Sequence, residues 1–148
     1  MQWGGAKMKI LRGILGGIAF GVIGEIFGWL IYAVLFVKWT TQVSQLWRPM
    51  DSTYWRVGMP LADILSGLLI ALAYAILYKG IPGTGIKKGL IFGLILWLIT
   101  RVGGELFFYA MSPIPFMLVI AGWLHGLIAG PLGGIVLAAI YGKSLEGK

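Results

Sequence analysis

Ionisable side chains interrupt the long apolar stretches of this 148-residue sequence: Glu25, Asp63, Arg101, Glu105 and His125. Carboxylates and a histidine can carry protons or ligate metals, and an arginine can hold an anion. A charge in lipid costs about 2.5–3.5 kcal/mol even on insertion scales, so we expect these residues to face other helices or water. Ser66 is expected at a similar depth, and we refer to the six residues together as the polar cluster.

Helical spacing predicts how three of these charges pair. Arg101 and Glu105 are four residues apart, which places them on one face of a helix. A rise of about 1.5 Å per residue, counted from the basic residue before each stretch, puts Glu25 and Arg101 at a common depth of about 20 Å. We therefore predict that Arg101 is clamped between Glu25 and Glu105.

The sequence leaves three interpretations of the polar cluster open. The first is a buried ion-pair network that fixes helix register, because removing one partner of such a pair is costly. The second is a polar site or proton path that opens outward, since intramembrane ionisable residues are functional candidates. The third is a metal site at Asp63, Glu105 and His125. The spacings that present two metal ligands on one helix face are missing, and no metal is predicted.

Four apolar stretches are long enough to cross a bilayer, which needs about 20 residues. The helices predicted there must position the polar cluster. The stretches are predicted at about 13–37, 60–78, 89–110 and 114–141, within a single integral membrane domain of residues 1–148. Hydrophobic residues make up 59% of the chain and charged residues 11%, which excludes disorder and argues against a soluble domain. Pro131 is a candidate kink in the fourth stretch.

The basic residues predict the orientation. Most of the 12 lysines and arginines flank the stretches on the side that holds the termini, and three lie in the loop at 38–59. The positive-inside rule therefore predicts a multi-pass protein of the cytoplasmic (inner) membrane with both termini in the cytoplasm. The net charge of +7 requires no nucleic-acid partner, because anionic lipid head groups of the bilayer account for basic residues at helix ends.

The loop at 38–59 is rich in aromatic side chains. Amphipathic aromatic residues are enriched at the membrane–water interface, so we expect this loop to lie flat on the outer surface. The alternative is a docking surface for a partner protein, because Trp, Tyr and Arg dominate interface hot spots. The docking candidates are Trp39, Trp47, Arg48, Tyr54 and Trp55.

Small residues recur every four positions on the helix faces that carry the charges. Such patterns allow close helix approach in membranes, and the fourth stretch carries a continuous glycine zipper. The predicted helix-packing glycines are Gly17, Gly21, Gly89, Gly93, Gly122, Gly126, Gly130 and Gly134. The first stretch is similar to the third and the second to the fourth, which favours two tandem helical hairpins in parallel orientation. Chance matches between glycine-rich segments are the alternative.

Three short segments carry a resemblance to known proteins. They are Gly-Trp-Leu-Ile-Tyr at 28–32, Lys-Gly-Leu-Ile-Phe-Gly at 88–93 and Tyr-Gly-Lys at 141–143. Together they resemble small, uncharacterised four-span integral membrane proteins of bacteria. The resemblance covers most of the chain and implies four helices, and it implies no activity.

These observations predict an all-α fold, a four-transmembrane-helix bundle. The sequence contains no cysteine, no nucleotide-binding loop and no catalytic triad pattern, so we expect neither enzyme activity nor a cofactor. The function favoured by the sequence is an accessory or scaffolding subunit that packs against another membrane protein or against itself. The alternative is a small oligomeric transporter or channel for an ion, proton or small solute that uses the charges at Glu25, Arg101 and Glu105.

Overall fold

The computed structural model describes residues 3–145, with side chains from Ala6 onward. These residues form four long helices, each apolar and long enough to cross a membrane, which confirms an all-helical, multi-pass bundle. Helix α1 comprises Trp3–Trp29 and a π-helical turn at Leu30–Leu35, and α2 comprises a π-helical turn at Tyr54–Gly58 and then Met59–Leu77. Helix α3 comprises Gly85–Trp97, a π-helical turn at Leu98–Val102 and Gly103–Met111, and α4 comprises Phe116–Tyr141 and a 3-10 turn at Gly142–Ser144.

The four helices run alternately up and down, so the two described ends of the chain lie together. Gly13 of α1 lies against the Tyr141 ring of α4 at this end, which we call the terminal end. The opposite end, which we call the loop end, holds the connection at 36–53 and the turn at 112–115. There Val43 packs against Ile114 and Leu118.

Helices α1 and α2 cross with their backbones in contact. Gly17 faces Gly67, and Gly21 lies against the backbone of Asp63. A methyl group on any of these three glycines would overlap the opposite backbone, so only glycine permits this approach. Gly67 lies four residues after Asp63, on the face of small residues for which the sequence predicts close packing.

Helices α3 and α4 cross in the same manner. Gly89 meets the backbone of Gly134, and Gly93 meets that of Gly130 and Pro131. Pro131 is buried, and the helix Phe116–Tyr141 continues through it without a break. Lost backbone hydrogen bonds at a proline are tolerated in membrane helices when neighbouring helices pack closely around them.

The helices do not surround the axis of the bundle evenly. Helix α1 packs against both α2 and α4, and α4 packs against both α1 and α3. Within the described residues α2 and α3 lack such close packing and meet through side chains near the terminal end, where the Tyr74 and Phe92 ring centroids are 5.1 Å apart. The bundle is therefore open between α2 and α3 in its loop-end half. The contact between α1 and α4, which we call the seam, has no counterpart between α2 and α3 among the described residues. The tandem duplication of the two hairpins stays a prediction.

The connection at the loop end is shorter than expected, because α2 begins at Tyr54 and not near residue 60. A short helix, Val37–Gln42, folds back against the end of α1, where the Thr40 hydroxyl donates to the Tyr32 carbonyl. Trp39 packs onto the Val43 cluster. The aromatic segment is thus partly helical and partly packed onto the bundle.

Candidate functional site

A cavity of about 190 Å³ lies between the four helices in the loop-end half of the bundle. All four helices contribute to its wall. Gly24 of α1 helps to create the space, since a methyl group there would meet no atom within 4 Å. Towards the terminal end Phe20 lines the cavity, and beyond it Tyr74 and Phe92 belong to the buried core. The cavity is therefore closed by aromatic side chains on its terminal side.

The polar cluster supplies most of the polar wall. Four of its six members line the cavity: Asp63, Ser66, Arg101 and His125. Glu25 and Glu105 do not line it but contact members that do. Thr100 and Trp97 also line it and were missed by sequence analysis, although Thr100 directly precedes Arg101 and a polar residue there was a usable signal.

Arg101 and Glu105 form the predicted ion pair across one helical turn. Arg101 Nη1 donates to Glu105 Oε1 at 3.1 Å, and the side chains are 40% and 15% exposed. Glycines of α4 make room for both: the Glu105 carboxyl lies directly on Gly122, and the Arg101 stem lies on Gly126. These two glycines thus admit polar side chains and not an opposing backbone. The π-helical turn at Leu98–Val102 carries Arg101, and π-helical turns are frequent at functional sites.

Glu25 does not complete the predicted clamp. Its carboxyl group lies beside that of Asp63 instead. Within residues 3–145 the only ion pair is Arg101–Glu105, so the prediction was wrong for Glu25. The reason is the neighbour relationship of the helices, because α1 packs against α2 and α4 and not against α3.

His125 is the most deeply buried polar side chain of the cavity wall, with 8% of its surface exposed. Its Nε2 lies 3.0 Å from the carbonyl oxygen of Gly24, and the Tyr32 ring packs edge-on against the imidazole at 5.9 Å. Because a carbonyl can only accept, Nε2 carries the hydrogen and Nδ1 is an acceptor. Nδ1 is buried and has no hydrogen-bond partner among the described residues.

The predicted docking residues lie apart from the cavity. The Arg48 guanidinium lies 4.6 Å from the centre of the Tyr54 ring, and the Trp47 ring centroid lies 6.1 Å from that of Phe108. Trp39 is partly buried against the Val43 cluster, and Trp55 is partly buried at the start of α2. Several of these side chains therefore contact the chain itself.

The arrangement offers binding groups of both signs to whatever occupies the cavity. Arg101 supplies a guanidinium group and Asp63 supplies a carboxyl group, and both residues line the cavity. The described residues contain no group of three or more His, Cys, Asp and Glu side chains that could hold a metal ion. No protein-family model, curated protein or solved structure matches this chain.

Proposed function

We propose that the protein is a small membrane transporter whose solute binds in the cavity between the four helices. The observation that carries this proposal is the convergence of Asp63, Arg101 and His125, from three different helices, on one cavity. Ionisable side chains are rare inside membranes and mark solute and ion pathways when they face a cavity. An ion-pair network that only fixed helix register would require no cavity beside it, since voids destabilise packed cores.

The one-sided closure of the cavity supports a carrier and not an open channel. Phe20, Tyr74 and Phe92 block it towards the terminal end. The distribution of basic residues favours a cytoplasmic terminal end, so we propose that the cavity faces outward. A central site closed on one side corresponds to one state of an alternating-access cycle.

An alternating-access cycle needs two rigid units that move against each other, and glycine contacts hold each hairpin together as one such unit. Each hairpin, α1 with α2 and α3 with α4, is held by direct backbone contact. Between the hairpins α1 meets α4 through side chains, such as Phe20 on Gly133 and Leu137 on Gly16. Rocking of one hairpin against the other along this seam would separate Tyr74 from Phe92 and open the cavity towards the terminal end.

Access from the two membrane faces tests this proposal without knowledge of the solute. The sequence has no cysteine, so single cysteines can be introduced into the natural chain. We expect Ser66→Cys, in the cavity wall, to react with a membrane-impermeant thiol reagent from the outer face. We also expect it to react more slowly from the cytoplasmic face in inside-out vesicles. The control is Leu65→Cys, at the same depth but outside the cavity, which should react from neither face.

The labelling pattern separates the alternatives. Reaction from both faces at Ser66→Cys and from neither at Leu65→Cys supports a carrier. Reaction from one face only, under every condition, identifies a fixed pocket and rejects transport by alternating access. Absence of reaction at Ser66→Cys, both in native membranes and after purification, identifies a dry cavity and rejects the proposal entirely.

A second candidate is the accessory subunit, and the gap between α2 and α3 favours it. Ser66 and Thr100 are exposed beside this gap, where a bare bundle would present polar groups to lipid. A helix of a partner protein lying in the gap would cover them. In that case Ser66→Cys is unreactive in native membranes, becomes reactive after purification, and cross-links to one partner polypeptide.

A further inference from the structure

The two signs of charge in the cavity wall specify the class of solute. Arg101 of α3 and Asp63 of α2 line the same cavity, yet within the described residues no ion pair joins them. Helices α2 and α3 lack close packing here, so the space between the two charges is available to a ligand. We propose that the cavity binds a small zwitterion with a carboxylate and an ammonium group, such as a small α-amino acid. This inference rests on the proposed transport function.

The carboxylate end fits Arg101. A guanidinium has five N–H donors, and among the described residues only Glu105 accepts from that of Arg101, through Nη1. The side chain remains 40% exposed, so part of the planar group is accessible. A planar fork of donors matches a carboxylate with two parallel hydrogen bonds, and this geometry favours a carboxylate over a spherical anion.

The ammonium end fits the opposite wall. Asp63 lines the cavity, and the carboxyl group of Glu25 lies beside that of Asp63. An ammonium group has three N–H donors and no acceptor, so it can donate to the carboxylate of Asp63.

The volume sets the size of the solute. A cavity of about 190 Å³ is several times the share of about 30 Å³ that one water has in the liquid, so it has room for a small organic molecule. An amino acid with a short side chain fits this space. Ile70 and Leu96 also line the cavity and provide an apolar surface for a short aliphatic side chain.

Binding to the full-length protein in lipid nanodiscs tests the inference directly. The probes are radiolabelled alanine and, as competitors of similar size, propionate and propylamine, which each carry one of its two charges. We expect saturable alanine binding that each competitor displaces at least about tenfold less effectively than unlabelled alanine, because each lacks one charge-assisted contact. Equal displacement by propionate or by propylamine would identify a site for an anion or for a cation and overturn the zwitterion assignment.

Two variants assign the carboxylate end to Arg101. We expect Arg101→Gln to weaken alanine binding at least about tenfold, and Arg101→Lys to restore it only in part because lysine lacks the planar fork. Arg56→Gln, at an exposed position in the first turn of α2, is the matched control and should bind like the parent. Full restoration by Arg101→Lys, or unchanged binding in Arg101→Gln, would reject this assignment.

The outcomes also separate this inference from the transport proposal. If Ser66→Cys reacts from both faces but alanine neither binds nor slows the labelling, the zwitterion class is wrong and the carrier remains. If alanine binds but Ser66→Cys reacts from one face only, the ligand class stands and the carrier is wrong. If neither labelling nor binding is observed, both proposals fail.

Discussion

The Nε2–H of His125 donates to the carbonyl oxygen of Gly24 at 3.0 Å, and this bond joins the last long helix to the first. It lies in the wall of the cavity, where a methyl group on Gly24 would meet no other atom. The residue that ties α4 to α1 is therefore also part of the wall of the proposed solute site.

Removal of the histidine bond should weaken the seam between α1 and α4. We expect His125→Leu to lower the free energy of unfolding by about 1 kcal/mol, the usual net contribution of one hydrogen bond. Reversible unfolding in mixed detergent micelles measures this change. Tyr32→Phe is the control because it keeps the ring that packs on His125, and its stability should stay within about 0.5 kcal/mol of the parent. A stable His125→Leu variant would show that the bond contributes nothing to the seam.

A methyl group in the α1–α2 crossing should force the two helices apart. In Gly67→Ala the new methyl group would overlap the backbone of Gly17, which cannot move as a flexible side chain can. We expect a loss of about 1–3 kcal/mol of unfolding free energy, as in other overpacked sites.

The matched control for this crossing is Gly104→Ala, which also changes a helical glycine but meets no atom within 4 Å. It should leave the unfolding free energy unchanged or raise it by up to about 1 kcal/mol, since alanine is the better helix former. Equal stability of the two alanine variants would contradict the close crossing.

The ion pair on α3 should contribute only modestly to stability. A double-mutant cycle with Arg101→Gln and Glu105→Gln should give a coupling energy of about 1 kcal/mol. This value lies above that of most surface pairs and below the loss on breaking fully buried ones, because the Arg101 side chain is 40% exposed. Each unfolding free energy is measured without solute. A coupling energy of zero would mean that the two side chains do not interact in the membrane.

A buried lysine should stabilise the terminal end of α2. Lys88 is 9% exposed, its Nζ donates to the Tyr78 carbonyl, and it lies 4.0 Å from the centre of the Tyr78 ring. The last carbonyls of a helix have no donor within the helix, so this contact caps α2. A hydrogen bond of a charged group contributes about 1.5–3 kcal/mol to the free energy of unfolding. We therefore expect Lys88→Met to lower the melting temperature by several degrees. Lys87→Met, at an exposed neighbouring position, should melt like the parent.

The four helices and the Arg101–Glu105 pair could be predicted from the sequence, whereas the contacts between helices could not. Apolar length alone predicted four crossings, and spacing by four predicted that Arg101 pairs with Glu105. Depth counting placed Glu25 level with Arg101, but depth does not state which helices are neighbours. The structure places α2 and not α3 beside α1, so Glu25 reaches Asp63. The cavity itself depends on the gap between α2 and α3, which no pattern within a single helix encodes.

The order of helix contacts has a consequence for how the protein is made. The tight glycine crossings join helices that are consecutive in the chain, so each hairpin can close soon after the ribosome has completed its second helix. The seam between α1 and α4 must wait for the whole chain, and the cavity with it, because Asp63 belongs to the first hairpin and Arg101 and His125 to the second. Two fragments divided within the turn at 80–84 should therefore each insert and pair internally, and the complete site should exist only after they meet in the bilayer.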